Sequence, residues 1–161
     1  MKRAPYIAVC GPGKANEQEA AWAEEVGSLI AQAGAVLVCG GLGGVMDAAA
    51  RGAESAGGVS VGLLPGEERD EAGPHLTVAV PTGLGEARNA LVVRAADAVI
   101  AISGEFGTLS EIALALKMGK PVVGLSTWEL AKGGRPVDAI VRADSPEEAV
   151  RAALAAAEGG A

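Results

Sequence analysis

Three times in this chain an apolar run of strand length breaks off in glycines and gives way to a helical pattern. Tyr6-Ile7-Ala8-Val9-Cys10 ends in Gly11-Pro12-Gly13. Ala35-Val36-Leu37-Val38-Cys39 ends in Gly40-Gly41-Leu42-Gly43-Gly44-Val45-Met46. Ala98-Val99-Ile100-Ala101-Ile102 ends in Ser103-Gly104-Glu105-Phe106-Gly107-Thr108. Strands that are apolar throughout have no face to offer water. With helices between them, they form a parallel sheet covered on both sides. The expected fold is therefore α/β: a single doubly wound, Rossmann-like domain over residues 1–161, with helices on both faces. Ligands of such sheets bind at the carboxyl ends of the strands, and all three glycine turns lie there.

The remaining pattern is consistent with this frame. Residues 16–33 read as a helix, with Trp22, Val26, Leu29, Ile30 and Ala33 on one stripe and Gly34 as the stop. Residues 45–56 read as a second helix, 59–64 as a strand ended by Pro65, and 67–74 as a polar surface loop. A strand over 76–80 and a helix over 86–95 follow. Leu109, Ile112, Ala113 and Leu116 recur at helical spacing up to Met118, and residues 121–125 form one more strand. Residues 126–136 read as irregular and 137–141 as an edge strand. Ser145-Pro146-Glu147-Glu148 carries the signature of a helix start: a hydroxyl cap, proline at the first position and a glutamate three residues after the serine. The tail frays from Glu158, and there is no internal repeat or linker.

Composition removes several classes of function. The net charge is −7 with no basic run, which argues against binding nucleic acid through its phosphates. Two cysteines and one histidine cannot complete a four-ligand Cys/His zinc site, so no metal centre is expected, nor a disulfide framework. The longest apolar runs fall well short of the ~20 residues of a membrane helix. The N-terminus has no long apolar segment of the secretory kind. A cytoplasmic protein is expected. Cys10 and Cys39 read as buried, reduced residues, His75 as structural, and Trp128 as packing at a subunit or pocket edge.

The turn before residue 109 has the chemistry of an anion site. The first N–H groups of a helix have no intrahelical partner and lie at the positive end of its dipole. Gly104 and Gly107 let a phosphate approach the backbone, Thr108 adds a hydroxyl, and Glu111 sits one turn in, where it caps the helix or reaches over the ligand. Four glycines in the five positions 40–44 exceed what a turn requires, which points to a phosphate or ribose close to Gly40, Gly41, Gly43, Gly44 and Met46. Gly11 and Gly13 do not make a dinucleotide fingerprint. Asn16 stands where the third glycine belongs, and the second strand ends in Cys39-Gly40 without an acid for a ribose hydroxyl. There is no P-loop, because Gly13-Lys14 is followed by Ala15. Arg88 reads either as a surface arginine or as a bidentate phosphate grip, with Asn89 beside it. Glu105 repels a phosphate unless it points away, and both orientations remain open.

Taken in order, these turns resemble the LOG-like branch of Rossmann-type nucleotide-binding proteins. That branch includes cytokinin-activating phosphoribohydrolases, proteins labelled "possible lysine decarboxylase" and molybdenum cofactor carrier proteins. The branch's signature is proline, two glycines, any residue, glycine, threonine, two residues and glutamate. Here Gly104, Gly107, Thr108 and Glu111 match it, while Ser103 replaces the proline and Glu105 the second glycine. Its arginine resembles Arg88, and the stretch Gly83-Leu84-Gly85 to Asn89 is closest to the molybdenum cofactor carriers. The resemblance implies a small phosphorylated ligand, a nucleotide or molybdenum cofactor, held by a homo-oligomer (dimer or tetramer). If the chain is an enzyme, Arg88 and Glu111 would be its catalytic pair, splitting a nucleoside 5′-monophosphate into base and ribose 5-phosphate. Lysine decarboxylation is rejected, because no lysine has the context of a pyridoxal phosphate Schiff base.

Overall fold

The computed structural model describes residues 3–159. Seven strands form one parallel sheet in the order β4-β3-β2-β1-β5-β6-β9. They are β1 (Tyr6–Cys10), β2 (Val36–Cys39), β3 (Val59–Leu64), β4 (Val78–Pro81), β5 (Ala98–Ile102), β6 (Val122–Leu125) and β9 (Val141–Ala143). A separate antiparallel hairpin joins β7 (Leu130–Lys132) to β8 (Arg135–Val137). The helices are α1 (Glu17–Gln32), α2 (Val45–Ser55), α3 (Asn89–Ala95), α4 (Phe106–Lys117) and α5 (Pro146–Gly159).

The chain steps outward from β1 to β4, then returns to pair β5 with the other side of β1, placing Cys10 opposite Ala101. Winding therefore reverses between β1 and β5. At that point the loops after the two strands diverge to opposite faces and leave a crevice. α1, α2 and α5 cover one face through Val26, Ile30, Val45, Ala49 and Val150, and α3 and α4 cover the other through Val92, Val93 and Ile112. The core is aliphatic, as the scarcity of aromatics requires.

α1 and α2 approach one another at two glycines. A Cβ at Gly27 would fall inside the carbonyl oxygen of Ala49, and one at Gly52 inside that of Glu24. Only hydrogen at both positions permits this crossing. Arg51 and Glu24 bridge the same helices at 2.8 Å, but the pair is half-exposed and contributes little.

Several boundaries differ from the sequence reading. The segment read as a helix over 86–95 is a 3-10 turn, Gly85–Arg88, followed by α3. Positive φ at Gly83 and Gly85 breaks the helical path there. The segment read as irregular contains the β7–β8 hairpin, closed by Gly133 and Gly134, both at positive φ. The edge strand is β9 rather than residues 137–141, since Val137 belongs to the hairpin. A short 3-10 turn, Arg69–Glu71, lies within the polar loop. At the start of α5 the Glu148 amide donates to Ser145 Oγ as expected, but the Glu148 carboxylate accepts from the Asp144 amide instead of closing the box on Ser145. Residues 160–161 of the tail lie outside the described residues.

Candidate functional site

The three glycine turns meet above the carboxyl ends of β1, β2 and β5, and hydrogen bonds join them. The Val45 amide, at the start of α2, donates to Pro12 O at 3.0 Å and ties the second turn to the first. Arg88 Nη2 donates to Gly40 O at 3.2 Å, and Arg88 Nη1 donates to Asn89 Oδ1. Asn89 Nδ2 donates to Ser110 Oγ at 3.0 Å, and that hydroxyl donates to Gly107 O at 2.6 Å. One chain of contacts thus runs from the second turn through Arg88 and Asn89 to the third. Arg88 lies one helical turn before the buried Val92, and Asn89 one turn before the buried Val93, so both sit on the side of α3 that faces the sheet.

Arg88 is 8% exposed, and its Nε, fully buried, has no hydrogen-bond partner. No carboxylate among the described residues lies within ion-pairing distance of it. A buried guanidinium is normally held by an anion, and an orphaned donor carries its full desolvation cost. Glu111 comes from α4 and is 7% exposed. It does not cap its helix. Burial pushes its carboxyl up to about 7, against the lowering effect of the Cys10 thiol that bonds it and of the Arg88 charge. Burial also raises the thiols, Cys10 well above its ordinary range and Cys39 to about 11, so both are protonated and inert at neutral pH.

The glycines fall into two groups. Added Cβ atoms at Gly11, Gly40, Gly41, Gly44 and Gly104 would strike protein: Val45 from Gly11, Arg88 and Met46 from Gly40, Leu64 from Gly41, Pro12 O from Gly44 and Thr108 from Gly104. These positions are glycine because the turns pack against one another. At Gly13 and Gly107 a Cβ would meet nothing, and at Gly43 only Gly13 O at 3.5 Å. All three are exposed, so internal packing does not account for them.

α1 opens with a capping box, in which Asn16 and Glu19 satisfy each other's amides at 2.9 Å. α2 and α4, which begin at the site, have no side-chain cap. Their free amides (Met46 and Asp47 in α2, and Phe106, Gly107 and Thr108 in α4) remain available to an anion. Thr108 is buried against Gly104, and Glu105 is exposed. His75 pairs with Glu54 at 2.6 Å, away from these turns.

Sequence reading passed over Cys10 as a neighbour of Glu111 and gave Ser126 and Thr127 no role. Thr127 Oγ1 donates to Ser103 O, and Trp128 Nε1 donates to Glu105 O at 3.3 Å, so the segment after β6 braces the third turn from behind. No local signal marks these partners, because the sheet alone brings them together.

The profile of the SLOG cluster4 family matches residues 4–150. The chain belongs to that family. A protein of Archaeoglobus fulgidus, itself uncharacterised, is 43% identical over 144 residues, 89% of this chain and 91% of its own length. Among solved structures, this SLOG chain is similar to the molybdenum cofactor binding protein of Rippkaea orientalis. The match has a TM-score of 0.86 and 36% identity over 96% of this chain and 98% of that one. It is also similar to the molybdenum cofactor carrier protein of Chlamydomonas reinhardtii, with a TM-score of 0.83 and 34% identity over 94% and 98% of the two chains. DNA processing protein A of Helicobacter pylori, at 20% identity and a TM-score of 0.71, shares the fold alone. These likenesses bear out a Rossmann-like fold of the LOG-like kind.

Proposed function

We propose that this SLOG protein binds and carries a phosphorylated, nucleotide-like ligand, with molybdenum cofactor the first candidate. The observation that carries this reading is the buried Arg88, with its orphaned Nε and no carboxylate paired to it. It lies where three glycine turns and two uncapped helix starts converge. A phosphate there would accept from the guanidinium and from the free amides of α2 and α4. Gly13, Gly43 and Gly107 would let it reach the backbone. The likeness to cofactor-carrying proteins supports the choice of ligand.

The same reading includes one domain over the whole chain, a homo-oligomer, and a cytoplasmic protein that needs no pyridoxal phosphate and uses neither nucleic acid nor membrane as partner. No described helix is long and apolar enough to cross a membrane.

A second reading rests on Glu111. A carboxyl titrating near 7 beside an arginine is matched to proton transfer at neutral pH. A phosphoribohydrolase would use it on the glycosidic bond of a nucleoside monophosphate.

One experiment separates the two. The protein and its Arg88→Met variant are melted with increasing pyrophosphate, and the wild type is incubated with nucleoside monophosphates while ribose 5-phosphate release is followed. The carrier reading expects a pyrophosphate-dependent rise in Tm that Arg88→Met abolishes, with no release. The ligand-free melting points of the two proteins are recorded first, because methionine removes a buried charge but also the donors to Gly40 O and Asn89 Oδ1. Ribose 5-phosphate release lost in Glu111→Gln would establish the enzyme instead.

A further inference from the structure

Beside the glycine turns, a cavity of about 550 Å³ opens over the carboxyl ends of β6 and β9, under the β7–β8 hairpin. Its volume is that of a small-molecule site. Trp22 of α1 and Trp128 after β6 both line it, and they are the chain's two tryptophans. Ser126 and Thr127 add hydroxyls to the lining.

The cavity and the glycine turns share a wall. Thr127 and Trp128 line the cavity, and their side chains donate to the backbone of Ser103 and Glu105 in the third turn. Ser103 and Ser126 are the two non-glycine residues at positive φ among the described residues, at 52° and 53°. They follow the neighbouring strands β5 and β6. Paired strain of this kind persists where the surroundings over-determine it, and such places cluster at ligand sites. The exposed ring of Phe106, with its centroid 5.7 Å from that of Trp128, continues the aromatic surface toward the start of α4.

The charge of the lining restricts what enters. Arg142 is engaged by Glu129 at 2.8 Å. Asp138 and Asp144 also line the cavity, and neither is ion-paired among the described residues. Free carboxylates repel a phosphate and accept from N–H groups. We infer that this cavity takes the flat, N–H-rich heterocycle of the ligand whose phosphate the glycine turns hold: a ring with adjacent ring N–H and amino donors, as on a 2-amino-4-oxopyrimidine edge. The rings of Trp22 and Trp128 supply stacking surface, and the aspartates read the donor edge. The phosphate half of this statement rests on the function proposed above.

The test uses the intrinsic emission of the full chain, since both tryptophans line the cavity. Guanosine, GMP, UMP and ribose 5-phosphate are titrated, and Tm is measured in parallel. Guanosine and GMP should quench saturably, in the wild type and in each of Trp22→Phe and Trp128→Phe. Ribose 5-phosphate should raise Tm without quenching. Replacing Asp138 and Asp144 together by asparagine should weaken guanosine about tenfold, the scale of a lost charged hydrogen bond, and leave the ribose 5-phosphate response intact. Failure of guanosine and GMP to quench overturns the inference, and UMP acting as well as GMP overturns the choice of ring. Quenching by guanosine with no response to ribose 5-phosphate keeps the cavity as a ring site and overturns the phosphate half.

Discussion

Replacing Glu111 by glutamine should stabilise this protein, and only on the alkaline side. Burial lifts the carboxyl from 4.5 to about 7. In the unfolded chain it ionises near its ordinary value. Between pH 4.5 and 7 the unfolded state therefore loses a proton that the folded state keeps. Stability attached to this group is complete below pH 4.5, falls as pH rises, and levels off above 7. The full loss corresponds to about 3 kcal/mol. Glutamine has nearly the shape of the protonated acid and does not titrate. Glu111→Gln should exceed the wild type by under about 1 kcal/mol at pH 5 and by about 3 kcal/mol at pH 8, or roughly 6–12 °C in Tm for a chain of this size. Urea melts of both proteins at half-unit steps from pH 5 to 8 measure the difference, and other titrating groups cancel in the comparison. Phosphate binding should follow the same group. Ionised Glu111 repels the ligand, so the phosphate-dependent rise in Tm should shrink from pH 6 to 8 although phosphate itself gains charge, and Glu111→Gln should remove that decline. Parallel stability curves for the two proteins across this range would refute the argument.

Other substitutions separate architecture from ligand contact. Gly107→Ala should stabilise α4 by up to ~1 kcal/mol, because alanine is the better helix former, and yet lower the pyrophosphate response. Gly13→Ala and Gly43→Ala should leave Tm nearly unchanged and lower the same response, as read by thermal shift. Gly44→Ala should cost about 1–3 kcal/mol or more, since the residue has φ of 65° and a Cβ there would strike Pro12 O. Gly27→Ala and Gly52→Ala should each cost about 1–3 kcal/mol by wedging α1 from α2, which denaturant titration would show.

Six strands of the large sheet, β1 to β6, were legible as short apolar runs, the first four ended by glycine or proline, whereas β9, Val141-Arg142-Ala143, has no such signal; the site's place followed from three turns converging at strand ends. What escaped was set by tertiary contact. Arg88 precedes the buried Val92 by one helical turn, so its inward side follows from spacing, but its bond to Gly40 O, far back in the chain, depends on how α3 packs beside β2. The contact of Cys10 with Glu111 joins β1 to α4 across most of the chain, and only the strand order brings the two together. The hairpin did leave a local sign. Gly133-Gly134 between two short runs is a two-residue turn signal, obscured because Ala131, Lys132 and Pro136 are poor strand formers. The same hairpin roofs the cavity, of which the sequence showed only Trp128, read as packing at a subunit or pocket edge.

The unpaired charge of Arg88 has a consequence outside the binding site. A protein that folds around a buried cation with no carboxylate partner is weaker empty than filled, so ligand supply and protein lifetime become linked. Chaperones and proteases sample the unfolded fraction, and a difference of 1–2 kcal/mol changes abundance several-fold. On the carrier reading, a cell short of cargo would accumulate less of the carrier with no regulator involved, and the level of the protein would itself report how much ligand is in circulation.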